Sequence, residues 1–145
     1  MSMQSNLDAL YRQVIMDHYK NPRNRGEIVG DALTVNMNNP SCGDKIQLHL
    51  KVDGDVVRDA RFTGEGCSIS LSSASMMTET VMGKTVDEAL ELSGIFFGIV
   101  QGEDYDDEKY DLGDVEALQG VTKFPARIKC ATLAWKAMEK GLDKD

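Results

Sequence analysis

The strongest constraint on this chain is a stretch of alternating side chains. Leu33, Val35 and Met37, then Ile46, Leu48, Leu50 and Val52, make every second residue apolar, and a further run extends from Val56 to Phe62 after Asp53-Gly54. A period of two is the period of a β-strand with one face covered. Asp-Gly is a preferred hairpin turn because glycine accepts the left-handed backbone such turns need. The pattern therefore predicts a small antiparallel sheet of three strands. Its apolar face must be buried against something, and the rest of the chain offers helices.

Upstream, Leu7, Leu10, Tyr11, Val14, Ile15 and His18 form a helical stripe, with Ser5 and Asp8 as a capping-box variant and Asn21-Pro22 as its end. Downstream, the spacing predicts a helix over roughly Ser68 to Met82. Another helix is opened by Thr85 and Glu88, with Val86, Ala89, Leu90, Phe97 and Val100 on the side expected to cover the sheet. Glu103 to Asp111 is acidic and reads as a solvated loop, after which Leu112, Val115 and Leu118 can anchor a short helical turn. A last helix opens at Pro125, buries Ile128, Ala131, Trp135 and Met138, and takes Gly141 as its stop. The fold class is α+β: a compact α/β sandwich whose three-stranded sheet is covered on one face by helices.

The chain has 145 residues and 41% hydrophobic composition, enough for one sizeable core, and no linker or repeat divides it. Residues 1–145 are read as a single domain. The net charge of −8 would repel a phosphate backbone or an anionic bilayer, so neither nucleic acid nor membrane is an expected partner. The first residues lack the regions of a signal peptide, and the apolar run Ile95 to Val100 is too short to span a bilayer, so a cytoplasmic location is expected.

Three cysteines, Cys42, Cys67 and Cys130, cannot pair off completely. Cys42 lies in Asn39-Pro40-Ser41-Cys42-Gly43-Asp44, where Gly43 lets a thiolate and the Asp44 carboxylate point the same way from a loop. Cys67 follows Gly64-Glu65-Gly66 and precedes a helix, whose dipole favours its ionised form, and Cys130 is similarly placed near a helix start. Arg127 and Lys129 add positive charge beside Cys130. Zinc accepts thiolate and carboxylate ligands in a four-coordinate shell, so Cys42, Asp44, Cys67 and Cys130 are a chemically sensible set. The spacings of 25 and 63 residues contain no Cys-x-x-Cys knuckle, however, and three buried core thiols are as consistent with spacing alone. The glycines before Cys67 do not form a phosphate loop and are read as close packing, and the serines from Ser68 to Ser75 as small packing residues. His18 and His49 are given structural or surface roles.

Three segments carry a resemblance: Pro40-Ser41-Cys42-Gly43-Asp44, Gly64-Glu65-Gly66-Cys67-Ser68-Ile69-Ser70 and Lys129-Cys130 are similar to the cysteine motifs of the IscU/NifU superfamily. Leu10-Tyr11 and Asp17-His18-Tyr19-Lys20-Asn21-Pro22-Arg23-Asn24 resemble its amino-terminal helix, and the likeness runs on through Trp135. IscU-type scaffolds carry histidine directly before the third cysteine, where this chain has Lys129. Arg127-Ile128-Lys129-Cys130 and the long, acidic stretch between the second and third cysteines resemble the SufU branch.

The resemblance implies a zinc-dependent sulfurtransferase. A SufS-type cysteine desulfurase, which carries its own pyridoxal phosphate, would hand persulfide sulfur to Cys42 for iron–sulfur cluster biogenesis and its assembly proteins. Asp44, Cys67 and Cys130 would remain as zinc ligands, and Arg127 would orient the site or contact the partner. The alternative is an IscU-type scaffold that assembles an iron–sulfur cluster on the same cysteines.

Overall fold

The alternating segments form the expected sheet. In a computed structural model of the chain, which describes residues 3–28, 30, 32–39, 43–106, 109 and 112–142, and of 3–8 the backbone alone, β1 (Leu33–Asn39), β2 (Asp44–Asp53) and β3 (Val56–Glu65) pair antiparallel in the order β1-β2-β3. Asp53 pairs with Val56 across a two-residue loop in which Gly54 has φ +64°, a backbone angle that hairpin turns need and glycine adopts without strain. Val35, Ile46, Leu48, Leu50, Ala60 and Phe62 are buried on one face of the sheet. Thr34, Asn36, Gln47, His49, Arg61 and Thr63 share the other. His49 keeps the predicted polar side but is buried there, with Nδ1 3.2 Å from Thr34 Oγ1.

Helices α1 (Met3–Lys20), α2 (Ser68–Val81), α3 (Val86–Ile99) and α4 (Pro125–Leu142) surround the covered face together with a 3-10 helix at Gly113–Lys123. Helix α4 lies on β1 and β2, and α2 lies on β3 and against α4. Trp135 of α4 stacks on Phe96 of α3 at 4.5 Å in the centre of the core. Full burial of side chains this large contributes about 1.5–3 kcal/mol each, so this aromatic pair is a principal anchor of the helical layer.

Several expectations need correction. Helix α1 begins at Met3, so the backbone of Ser5 lies inside it and not at its start. Helix α3 packs chiefly on α4 and the 3-10 helix, not on the sheet. Its capping box is present, but its buried face is Val86, Ala89, Leu92, Ser93, Phe96 and Ile99, while Leu90 and Phe97 are only partly covered. Gly141 is helical and not a stop. A Cβ there would stand 3.0 Å from side-chain atoms of Leu50 and Val35, so this glycine lets the end of α4 approach the sheet. The turn anchored by Leu112, Val115 and Leu118 extends to eleven residues of 3-10 helix. Among the described residues, no helix is long and apolar enough to cross a membrane.

Candidate metal centre

Asp44, Cys67 and Cys130 converge from three separate elements, with one ligand atom of each within 4.8 Å of the others. Asp44 was expected in a loop but is the first residue of β2, paired with Asn39 of β1 and fully buried. Cys67 is the N-cap residue of α2, half-buried, and its side chain makes no capping hydrogen bond. Cys130 is fully buried as the sixth residue of α4. It therefore sits beyond the first turn in which the helix dipole acts strongly, and the expected dipole support belongs to Cys67 alone. Cys42 lies outside the described residues.

The Asp44 carboxylate divides its two oxygens. Oδ1 accepts a hydrogen bond from the backbone N–H of Cys67 at 2.9 Å, and Oδ2 stands 3.9 Å from Cys67 Sγ. The first contact satisfies a donor that the start of α2 would otherwise leave open. The second leaves an anionic oxygen beside the sulfur. Gly64 and Gly66 explain how β3 passes so close: a Cβ at Gly64 would meet the carbonyl oxygen of Lys45, and one at Gly66 would meet Asp44 Oδ1. The reading of these glycines as close packing holds, and the group that Gly66 packs against is a candidate ligand.

Arg127, on the first turn of α4, supplies the nearby cation. The negative charge of the Cys67 thiolate first, then a hydrogen bond to Cys130 and the charge of that thiolate, hold the guanidinium proton above its ordinary affinity. Arg127 is exposed, so water screens this attraction. Lys129 is exposed on the same helix.

The helices bearing the two thiols are joined by a bond set that sequence reading missed. Ser73 Oγ donates to the carbonyl of Ala131, and Trp135 Nε1 donates to Ser73 Oγ at 3.1 Å. The sequence marks Ser73 only as a small packing residue, because its place opposite a buried tryptophan depends on the pairing of α2 with α4.

The donor set suits a sulfur-tolerant divalent ion. Ligand atoms around one tetrahedral zinc stand about 3.5–4 Å apart, given metal–sulfur bonds of about 2.3 Å, and Cys67 Sγ and Asp44 Oδ2 stand 3.9 Å apart. Two thiolates and a carboxylate also match zinc better than calcium or magnesium, which prefer oxygen alone.

A second group, His18, Glu79 and Asp114, also brings ligand atoms within 4.8 Å. Here His18 is fully buried, with Nδ1 2.8 Å from Ser75 Oγ and Nε2 2.8 Å from Asp114 Oδ2. Ser75 Oγ also accepts from the backbone N–H of Arg23.

Residues 10–142 match the family described as the NifU-like N terminal domain. The chain is 64% identical over 145 residues to the zinc-dependent sulfurtransferase SufU of Bacillus subtilis (strain 168), covering 100% of this chain and 97% of that one. It is 47% identical over 140 residues to the iron–sulfur cluster assembly scaffold protein IscU of Streptococcus pyogenes serotype M1, covering 97% and 87%. Its fold is similar, at a TM-score of 0.84 and 35% identity, to the crystal structure of a candidate iron–sulfur cluster assembly scaffold protein for the SUF system (FiSufU) from Fervidobacterium islandicum AW-1, covering 90% of this chain and 95% of that one. With its motifs, its fold and these relatives in agreement, the chain belongs to the NifU-like N-terminal domain family, on its SufU branch.

Proposed function

We propose that this chain is a zinc-dependent sulfurtransferase of iron–sulfur cluster biogenesis, working in the cytoplasm with a SufS-type cysteine desulfurase. The observation that carries the reading is the convergence of Asp44, Cys67 and Cys130 from β2, α2 and α4 within 4.8 Å. These three and Cys42 are the proposed ligands. Cys42 stands two residues before Asp44, so covalent geometry tethers its Cα within about 7 Å of the Asp44 Cα. Zinc held there would keep the thiols ionised and withhold them from indiscriminate reaction.

Cys42 is the proposed acceptor. Its thiolate attacks the outer sulfur of the desulfurase persulfide, a new S–S bond forms on Cys42, the old S–S bond breaks, and the desulfurase cysteine leaves as a thiolate. The exchange is redox-neutral, and the transferred sulfur keeps its oxidation level. Arg127 holds positive charge beside the two remaining thiolates, which restrains the build-up of anion when a persulfide approaches. Asp44 keeps its place through its bond to the Cys67 amide. Passing the sulfur onward to assembly proteins repeats the same exchange, with Cys42 as donor.

The test is persulfidation by a purified desulfurase, read by mass spectrometry, alongside zinc content. Cys42→Ala is expected to lose persulfide acceptance while losing less of its zinc than a Cys67→Ala protein. A Cys42→Ala protein that still became persulfidated would overturn the acceptor assignment. The scaffold alternative requires iron and acid-labile sulfide in anaerobically purified protein, and neither is expected in stoichiometric amount.

A further inference from the structure

The space between β3 and β2 at the metal centre is closed more tightly than packing alone demands. A Cβ on Gly66 would lie 2.4 Å from Asp44 Oδ1, 3.0 Å from its Cγ and 3.1 Å from its Cβ, whereas a Cβ on Gly94, Gly120 or Gly83 would meet nothing within 4 Å. Asp44 is fully buried, so its carboxylate cannot swing out into solvent without opening the site. Its Oδ1 is tied to the N–H of Cys67, the residue directly after Gly66. The atom a side chain at position 66 would displace is therefore the one that fixes the carboxylate's orientation and caps α2.

We infer that Gly66 is a positioning residue for the metal centre: by lacking a side chain it lets Asp44 Oδ1 lock onto the Cys67 amide, which aims Oδ2 alone at the ligand position beside Cys67 Sγ. The two oxygens have separate tasks. One is held by the backbone and the other faces Cys67 Sγ, so Asp44 would offer a metal a single oxygen. This inference rests on the proposed zinc site and adds what sets the geometry of its carboxylate ligand. Outer contacts of this kind are worth about 10- to 100-fold in metal affinity.

The experiment compares zinc affinity, measured by chelator competition, with the absorption spectrum of the cobalt-substituted protein. Gly66→Ala is expected to weaken zinc by about 10- to 100-fold and to change the cobalt ligand-field bands. In an Asp44→Ala background the same substitution should change affinity less than about 2-fold, because its effect acts through Asp44. Gly94→Ala, with open space around it, serves as the control and should leave both readouts unchanged. An independent arm does not depend on Gly66→Ala folding. Asp44→Asn keeps an acceptor for the Cys67 amide and should retain that amide's protection from hydrogen exchange while losing zinc affinity. Asp44→Ala should lose both. Gly66→Ala with wild-type affinity and spectrum, or an Asp44→Asn protein whose Cys67 amide is as exposed as in Asp44→Ala, would overturn the inference. Zinc binding that is indifferent to both Cys67→Ser and Asp44→Ala would instead refute the zinc site itself.

Discussion

Among the described residues two groups of potential metal ligands meet, one at Asp44, Cys67 and Cys130 and one at His18, Glu79 and Asp114, and they differ in how their polar atoms are engaged. In the histidine group both ring nitrogens have protein partners, Ser75 and Asp114, and Ser75 also holds the backbone of Arg23. The bonds tie α1, α2 and the 3-10 helix together. In the thiol group, Asp44 gives one oxygen to the backbone and turns the other toward a sulfur, and the Cys67 side chain makes no cap bond. A buried imidazole with both nitrogens engaged is a structural clasp, since a metal would have to break a bond to enter. Soft sulfur atoms near one another beside a carboxylate are a candidate ligand set. Both groups fall within the same 4.8 Å limit, so proximity alone does not distinguish them.

The largest effect expected from this difference is on zinc. Cys67→Ala or Cys130→Ala removes a proposed ligand from a site that joins β2, α2 and α4, so zinc affinity should fall by more than about 100-fold and the melting temperature should lose its response to added chelator. His18→Ala should leave zinc affinity unchanged, although its ring lies within the same helical layer. Chelator competition on all three variants is the direct comparison. A His18→Ala protein that lost zinc in parallel with the cysteine variants would dissolve the distinction between the two groups.

Stability should show the reverse emphasis. His18→Ala removes a buried ring and leaves Ser75 and Asp114 without it, a loss on the order of 2–3 kcal/mol in the zinc-free protein. In a chain of this size that corresponds to a melting temperature lower by roughly 4–12 °C. Cys67→Ala, at a half-buried position, should cost the zinc-free protein much less than His18→Ala does. Thermal denaturation monitored by circular dichroism in excess chelator separates the two, and equal losses would mean that the thiol group is also a structural clasp.

The sheet and most helices were legible because their signals are local. Alternation in Leu33–Phe62, the Asp53-Gly54 turn and the Thr85…Glu88 capping box each depend on residues a few positions apart, and all are present in the structure. What failed depends on distant partners. Gly141 suggests a helix stop because glycine after a stripe often is one, yet its meaning lies in Leu50 and Val35, 91 and 106 residues earlier. Helix α3 was assigned to the sheet because an apolar face must be covered, but sequence does not say by what, and α4 and the 3-10 helix cover it instead. The cysteines were recognisable as a set only through family motifs, since spacings of 25 and 63 residues carry no geometric signal. The Gly64-Glu65-Gly66 run did contain the close approach, but without the β2–β3 register nothing identified Asp44 as the neighbour.

The same contrast between engaged and available polar groups recurs at the starts of α2 and α3, and predicts the smallest effect. At α3, Thr85 accepts from the Glu88 N–H and Glu88 Oε1 accepts from the Thr85 N–H, both at 3.1 Å. At α2, the Cys67 side chain makes no cap bond, stands beside Asp44 Oδ2 at the candidate metal centre, and leaves the backbone bond to Asp44. The Thr85 bond holds the exposed Glu88 carboxyl below its ordinary value of 4.5. A carboxyl whose folded value is depressed binds protons more readily when unfolded, so its contribution is complete at pH values above the ordinary value and is lost as pH falls through the lowered one. Thr85→Ala should lower stability at neutral pH by about 1 kcal/mol. Glu88→Gln should lower it less, and should also remove a small part of the decline in stability that the wild type shows in acid. Neither change should alter zinc affinity, because this helix start holds its own polar groups and lends none to the thiol site. Urea denaturation between neutral pH and about pH 3, run on the zinc-free proteins, measures the difference, and a Glu88→Gln protein whose acid decline equals that of the wild type would show that the capping carboxylate is not the titrating group.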